Sequence, residues 1–245
     1  MKKDTLPAPS MAARDLRERT WNRSLVPAAD HAPCPLCTSA RAGDFARDGR
    51  RTFLRCAVCS LVFVPPSQHL TAADEKMRYD LHRNAPDDDG YRRFLGRMVA
   101  ALQPFLAAES RGLDFGSGPE PVLARMFEEA GLRMAVYDPF YEPDRSALEG
   151  TYDFITATEV VEHLREPLAD LDLLWQCLRP GGWLGIMTRR VVGRLAFPGW
   201  QYKNDLTHIC FFSPPTFAWL SRRWDADLLF SDDDIALFRK SGSPA

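Results

Sequence analysis

Residues 113–119 read Leu113-Asp114-Phe115-Gly116-Ser117-Gly118-Pro119, and an acid, Asp138, follows 24 positions after Asp114. A short apolar stretch ends at Asp114, the chain turns on two glycines, and Pro119 opens a helix-like run to Ala130. Glycines at a strand-to-helix turn let a ligand lie against bare backbone, because no Cβ stands in the way. The start of the helix offers N–H groups that have no intrahelical partner to a carboxylate or phosphate. An acid at the end of the next strand is placed to accept hydrogen bonds from two ribose hydroxyls. These residue types at this spacing fit an adenosine-containing cofactor.

The dinucleotide fingerprint needs a third glycine three positions after Gly118, for close helix–strand packing. Pro121 stands there, so a nicotinamide dinucleotide is poorly matched. Asp-x-Gly-x-Gly with a following proline instead resembles motif I of the class I S-adenosylmethionine-dependent methyltransferases. The resemblance continues along the chain. Asp138 matches the ribose-binding acid of motif II, and Tyr152-Asp153-Phe154-Ile155 running to Glu162-His163-Leu164 is similar to that family's fourth-strand segment. Leu178-Arg179-Pro180-Gly181-Gly182-Trp183-Leu184 is similar to the turn before its fifth strand. Four motifs in order over residues 111–187 are far more specific than a lone Gly-x-Gly. The resemblance implies S-adenosylmethionine as cofactor. It implies a cofactor site built from Asp114, Gly116, Ser117, Gly118, Asp138, Phe140 and Glu159. Asp114 has two open roles, support of the turn or contact with the methionyl amine. Phe140 also has two, as a face for adenine or as a core residue.

Methylation of a hydroxyl, a phenol or a carbon requires a base within hydrogen-bond reach of the departing proton. His163 and His208 are the candidate catalytic residues, since imidazole titrates near neutrality. The resemblance puts His163, with Glu159 and Glu162, along the cofactor and acceptor pocket. His208 lies in Tyr202-Lys203-Asn204-Asp205-Leu206-Thr207-His208, followed by Phe211-Phe212-Ser213. This segment resembles one found in bacterial methyltransferases that often carry an N-terminal Cys-x-x-Cys ribbon. Either histidine has an alternative role as a hydrogen-bond partner that fixes a loop. The aromatics Phe197, Trp200 and Tyr202 are candidate walls of an acceptor pocket, with packing onto the body as the other reading.

Cys34-Pro35-Leu36-Cys37 and Cys56-Ala57-Val58-Cys59 are separated by 18 residues. Two Cys-x-x-Cys knuckles at such spacing are a zinc signature. With all four positions thiolate, no place is left for water, so Cys34, Cys37, Cys56 and Cys59 are expected to hold a structural Zn²⁺. Disulfides or a redox pair are the alternatives, and a cytoplasmic setting disfavours the former. Knuckles often carry glycine after the second cysteine; here Thr38 and Ser60 stand there, and a positive φ would strain Thr38. Cys177 and Cys210 sit in apolar surroundings and read as core residues.

The chain has 245 residues and is 45% hydrophobic, enough for one ordinary domain with a small addition. It contains no run of 18 apolar residues and no apolar core of a signal peptide, which predicts a cytoplasmic protein with no membrane span. Net charge is −2, distributed as +5 over residues 1–60 and −7 over the remainder. The expected layout is a polar tail (1–30), a zinc ribbon (31–70), a connecting helical segment (71–110) and a methyltransferase domain (111–245). Within the connecting segment, Phe94, Leu95, Met98 and Leu102 make one helical stripe, and residues 84–90 read as a flexible joint.

Strands are expected near 111–115, 133–138, 153–157 and 182–188, and helices near 119–130, 167–179 and 214–223. Two closing strands near 226–231 and 235–240 flank Asp232-Asp233-Asp234 as a hairpin. The fold class is α/β, with a Rossmann-like, mostly parallel sheet and an antiparallel C-terminal hairpin. Only 14 residues separate Asp138 from Asp153, too few for a helix, a strand and its return. The third strand of the family pattern is therefore expected to be missing, leaving six.

The acceptor is expected to be a small molecule or a carbohydrate-like compound, by analogy with sugar-tailoring methyltransferases that carry such a ribbon. RNA is the alternative, since ribosomal guanine methyltransferases also join a four-cysteine module to this fold. The basic N-terminus favours RNA and the acidic body disfavours it. A non-catalytic binding protein is a third reading, against which the intact Asp114, Gly116, Gly118 and Asp138 count. Oligomeric state is not readable from the chain.

Overall fold

The computed structural model describes residues 32–80, 88–191 and 193–242. The polar tail and most of the expected joint at 84–90 lie outside the described residues. The described residues from 32 onward belong to one compact unit. Among them, no helix is long and apolar enough to cross a membrane.

Among the described residues the main sheet has six strands. In chain order these are β4 (Arg111–Phe115), β5 (Arg133–Tyr137), β6 (Tyr152–Thr158), β7 (Leu178–Met187), β9 (Asp227–Phe230) and β10 (Ile235–Arg239). They lie side by side as β5-β4-β6-β7-β10-β9. The first four are parallel, while β10 runs antiparallel to β7 and β9 antiparallel to β10. The α/β class, the antiparallel closing hairpin and the six-strand sheet are all as the sequence implies. The return from β5 to β6 contains a tight turn, in which Asp138 and Glu142 exchange backbone hydrogen bonds, and one 3₁₀ segment (Arg145–Glu149). It forms no strand, so the sheet ends at β5.

Parallel strands need cover on both faces, and the alternation along each strand supplies it. Phe154, Ile235 and Leu237 point to one face, where α2 (Asp89–Leu102) contributes Leu95, Met98 and Leu102, and α3 (Val122–Glu129) contributes Leu123 and Phe127. Ile155, Ala157, Leu184, Ile186 and Phe238 point to the other, against α4 (Pro167–Cys177) and α5 (Pro214–Trp224). Phe94 is only partly buried, at the rim of the predicted stripe, with the Arg97 guanidinium 4.9 Å from its ring centre. Helix α2 begins at Asp89, capped by Asp88, so the expected joint does not extend to Gly90. The Asp88 carboxylate satisfies the otherwise orphaned N–H groups of Gly90 and Tyr91.

The ribbon forms a second sheet with one addition. Strands β1 (Ala42–Arg47), β2 (Thr52–Cys56) and β3 (Val62–Phe63) are followed in lateral order by β8 (Cys210–Phe211). Val62 pairs with Phe211 and Phe63 with Cys210, so the body lends the ribbon a strand. Their apolar cores are continuous: Phe53 meets Phe197 and Phe211 at centroid distances of 4.9 and 5.8 Å. Short α1 (Ala72–Tyr79) follows the ribbon, its N-terminus capped by the Thr71 hydroxyl.

Candidate active site

The carboxyl ends of β4, β5 and β6 open onto a cavity of about 320 Å³. Register sets what reaches it. Asp114 pairs with Val136 on one side and Thr156 on the other, so the next residues of all three strands arrive at the same level. Beyond Phe115 the chain turns on Gly116 at φ +77° and Gly118 at φ +68°. A Cβ on Gly116 would lie 2.4 Å from a Val160 methyl, whereas one on Gly118 would meet nothing within 4 Å. Gly116 is demanded by packing. Gly118 leaves open backbone beside the cavity.

Asp138 faces this turn and is buried. Its Oδ2 accepts from the Gly118 N–H at 3.0 Å, and its Oδ1 accepts from the N–H groups of Phe140 and Tyr141 at 2.9 and 3.2 Å. The acid thus locks the glycine turn to the loop after β5 while lining the cavity itself. Asp114 lies deeper and is not among the lining residues. The Thr156 hydroxyl donates to its Oδ1 at 2.8 Å, and burial lifts its carboxyl to about 6. Phe140, Ser117 and Glu159 line the cavity. Phe140 packs against Tyr79 of α1 at 5.6 Å.

The histidines expected from widely separated segments stand together, their ring centres 4.7 Å apart and edge to face. Both line the cavity. Nδ1 of His208 is 2.8 Å from the Tyr202 carbonyl, and Nδ1 of His163 is 3.2 Å from that of Thr207. A carbonyl only accepts, so both Nδ1 atoms carry a proton. Burial lowers the His208 pKa, which keeps this ring neutral at neutral pH.

Beside the imidazoles is a buried acid pair. Glu159, in the left-handed region at φ +53°, and fully buried Glu162 both have pKa values raised by burial, Glu159 to about 8. The Tyr202 hydroxyl lies between them, in hydrogen-bond contact with Glu162 Oε1 and 3.2 Å from Glu159 Oε2. Glu159 Oε1 and Glu162 Oε2 are buried without a hydrogen-bond partner. Glu162, His163 and His208 offer ligand atoms within 4.8 Å of one another, a grouping that can hold a cation.

Sequence reasoning missed Glu75 and Tyr79 from α1 and Tyr91 from α2, which also line the cavity. Tyr79 sits 5.3 Å from the His163 ring, and its hydroxyl donates to Glu75. The one local signal was the Thr71-to-Asp74 capping pattern that starts α1.

Away from the cavity, the four knuckle cysteines converge. Sγ of Cys34 is 3.5 Å from that of Cys59, and Sγ of Cys37 is 3.3 Å from that of Cys56. These separations are far beyond a disulfide's ~2.05 Å. They come close to the roughly 3.8 Å between thiolates on a tetrahedral zinc with Zn–S of about 2.3 Å. Thr38 and Ser60 adopt φ +59° and +62°, the conformation that glycine usually fills in such knuckles.

A glycine turn tied to an acid across the carboxyl ends of parallel strands defines a Rossmann-like nucleotide-binding α/β protein. The family model described as "Methyltransferase domain" matches residues 83–229, more than half of the chain, and the chain belongs to that family. The ubiquinone biosynthesis O-methyltransferase of Sodalis glossinidius (strain morsitans) is 31% identical over 87 residues, which is 36% of this chain and 35% of that protein. Its namesake from Vibrio cholerae serotype O1 is 29% identical over 87 residues, 36% of each. The chain therefore spans about a third of the length of these curated relatives. The solved 1,6-didemethyltoxoflavin-N1-methyltransferase of Burkholderia thailandensis, with 1,6-didemethyltoxoflavin and S-adenosylhomocysteine bound, aligns at 15% identity and a TM-score of 0.44. That alignment covers 82% of this chain and 100% of that one. A likeness so distant bears on neither chemistry nor acceptor.

Proposed function

We propose that this protein transfers a methyl group from S-adenosylmethionine to a small-molecule or carbohydrate-like acceptor. The observation that carries the reading is one cavity with two unlike walls. One wall is bare backbone at Gly118 tied to Asp138; the other is a pair of adjacent imidazoles. The cofactor's contribution is an activated methyl on a sulfonium. Gly116, Ser117 and Gly118 would hold its methionyl part. Asp138 has carboxylate lone pairs left for ribose hydroxyls after its three backbone bonds, and Phe140 offers a ring face to adenine. Nε2 of His208 or His163 takes the proton that leaves the acceptor. Tyr79, Phe140 and Tyr141 exclude water and offer aromatic faces for an acceptor ring. Positioning supplies much of the rate, because holding an acceptor in line removes entropic cost. The four cysteines would hold Zn²⁺ with no open coordination position, a structural role.

The test is a transfer screen with methyl-labelled S-adenosylmethionine over sugar nucleotides, phenols and RNA. Label on a sugar nucleotide, a phenol or another small molecule, lost in His208→Ala, is the expected result. Label on RNA alone would replace the acceptor assignment, and label nowhere would overturn the catalytic reading.

A further inference from the structure

Arg51 belongs to the ribbon, yet its guanidinium is buried among the carbonyls of a loop in the body. Nη1 donates to the carbonyl oxygens of His208 at 2.8 Å and Leu206 at 3.4 Å. Nη2 donates to those of Asp205 at 3.0 Å and Lys203. The side chain is 5% exposed and lies 5.2 Å from the ring centre of Phe53. A buried guanidinium needs its donors satisfied. Here Nη1 and Nη2 are met by main-chain oxygens within residues 203–208, while Nε is buried without a partner. The segment starts in the last two residues of a 3₁₀ turn (Gln201–Asn204) and continues as irregular backbone. This segment carries His208. At its end, Val64 N–H donates to the Ile209 carbonyl at 2.9 Å and Ile209 N–H donates to the Glu162 carbonyl at 2.8 Å. Ribbon, His208 and the Glu162-His163 segment are thereby linked through Ile209. A run of aromatic contacts parallels this link: Phe53 to Phe197, Phe197 to Trp200 at 5.7 Å, Trp200 to Tyr202 at 5.3 Å, and Tyr202 to His208 at 4.2 Å.

We propose that Arg51 is a positioning residue for His208, and that the four-cysteine ribbon acts through it as the scaffold that holds this imidazole in the cavity. The inference rests on the reading of His208 as part of the acceptor side. It gives the ribbon a role in the reaction centre of its own chain, separate from contact with a macromolecule. Lysine cannot replace arginine here, since one ammonium cannot meet four carbonyls spread around a planar fork.

Arg51→Lys and Arg51→Gln are compared with the wild type by hydrogen-exchange mass spectrometry and by the ring resonances of His208. Exchange over residues 200–213 is expected to rise about tenfold or more, the equivalent of one lost charge-assisted hydrogen bond. The His208 ring signals shift, while β6 and β7 keep their protection. Stripping the metal from the wild-type protein with a chelator raises exchange over the same residues. Unchanged protection and unchanged His208 signals in both variants would overturn the inference. So would uniform loss of protection that includes β6 and β7, which would make Arg51 a general fold residue. Neither readout involves methyl transfer. Failure of S-adenosylhomocysteine to bind the wild type would therefore strike at the function proposed above and not at the role of Arg51.

Discussion

The backbone N–H of Gly118 donates to the Asp138 carboxylate at 3.0 Å, across two strands of the sheet. One hydrogen bond joins the two features that the linear sequence keeps 20 residues apart, and it fixes the floor of the cavity. A left-handed glycine is held by an acid whose other oxygen closes the loop after β5. Turn and acid are therefore one rigid element. Changes at either should be felt by a bound nucleotide.

The two glycines separate packing from access. Gly116→Ala brings a methyl within 2.4 Å of Val160 at φ +77° and is expected to destabilise the fold by about 2–4 kcal/mol. Gly118→Ala meets no neighbour, so it should cost only about 1 kcal/mol for the positive φ. It should nevertheless weaken S-adenosylhomocysteine binding, because the new methyl stands at the open backbone. Thermal melts and calorimetry on both variants check the contrast.

Asp114 should make the protein less stable as pH rises. Burial lifts its pKa from 3.8 to about 6, so the folded state binds the proton more tightly than the unfolded chain. Its cost to stability is absent below about pH 4, grows between pH 4 and 6, and is complete above, at up to about 3 kcal/mol. Asp114→Asn is expected to flatten this part of the stability profile and to raise stability at pH 7 by about 1–3 kcal/mol. Denaturant unfolding at pH 4, 5, 6 and 7 measures it; a profile identical to wild type would remove Asp114 as its source.

Tyr202→Phe removes the hydroxyl between Glu159 and Glu162. Both acids are buried, and each already has one oxygen without a partner. Losing the shared donor is expected to cost about 1–3 kcal/mol in chemical denaturation. A variant as stable as the wild type would show that the pair does not depend on this phenol.

Much of the site was legible because it is local or recurrent. The glycine turn, the acid 24 residues on and the Glu-His segment are short patterns that follow the ends of three successive strands, β4, β5 and β6. The missing strand was legible from chain length alone, since the stretch between Asp138 and Asp153 cannot hold it. The rest was not readable for physical reasons. Strand β8 is two residues long and exists only because β3 pairs with it; nothing in Cys210-Phe211 encodes that partner. Arg51 looks like any strand-flanking arginine until residues 203–208 fold around it, more than 150 positions away. Tyr79 and Tyr91 precede the nucleotide-binding body and enter the cavity only through tertiary docking of α1 and α2. The Glu159–Tyr202–Glu162 contact needs the 202–208 loop in place.

The knuckles make a separate prediction. Metal analysis of purified protein is expected to give about one zinc per chain, four thiolates completing one tetrahedral site. Cys56→Ser should lose it and melt at lower temperature. A full zinc complement in this variant would move the metal elsewhere.

The most direct test is calorimetry of S-adenosylhomocysteine and of NAD against the wild type and Asp138→Ala. Binding of S-adenosylhomocysteine at one site per chain is expected, with no heat from NAD. Asp138→Ala should weaken it by about 1–3 kcal/mol, as loss of charge-assisted hydrogen bonds to the ribose. A wild-type protein that takes up NAD in preference, or that stays empty under saturating S-adenosylhomocysteine, would contradict the account.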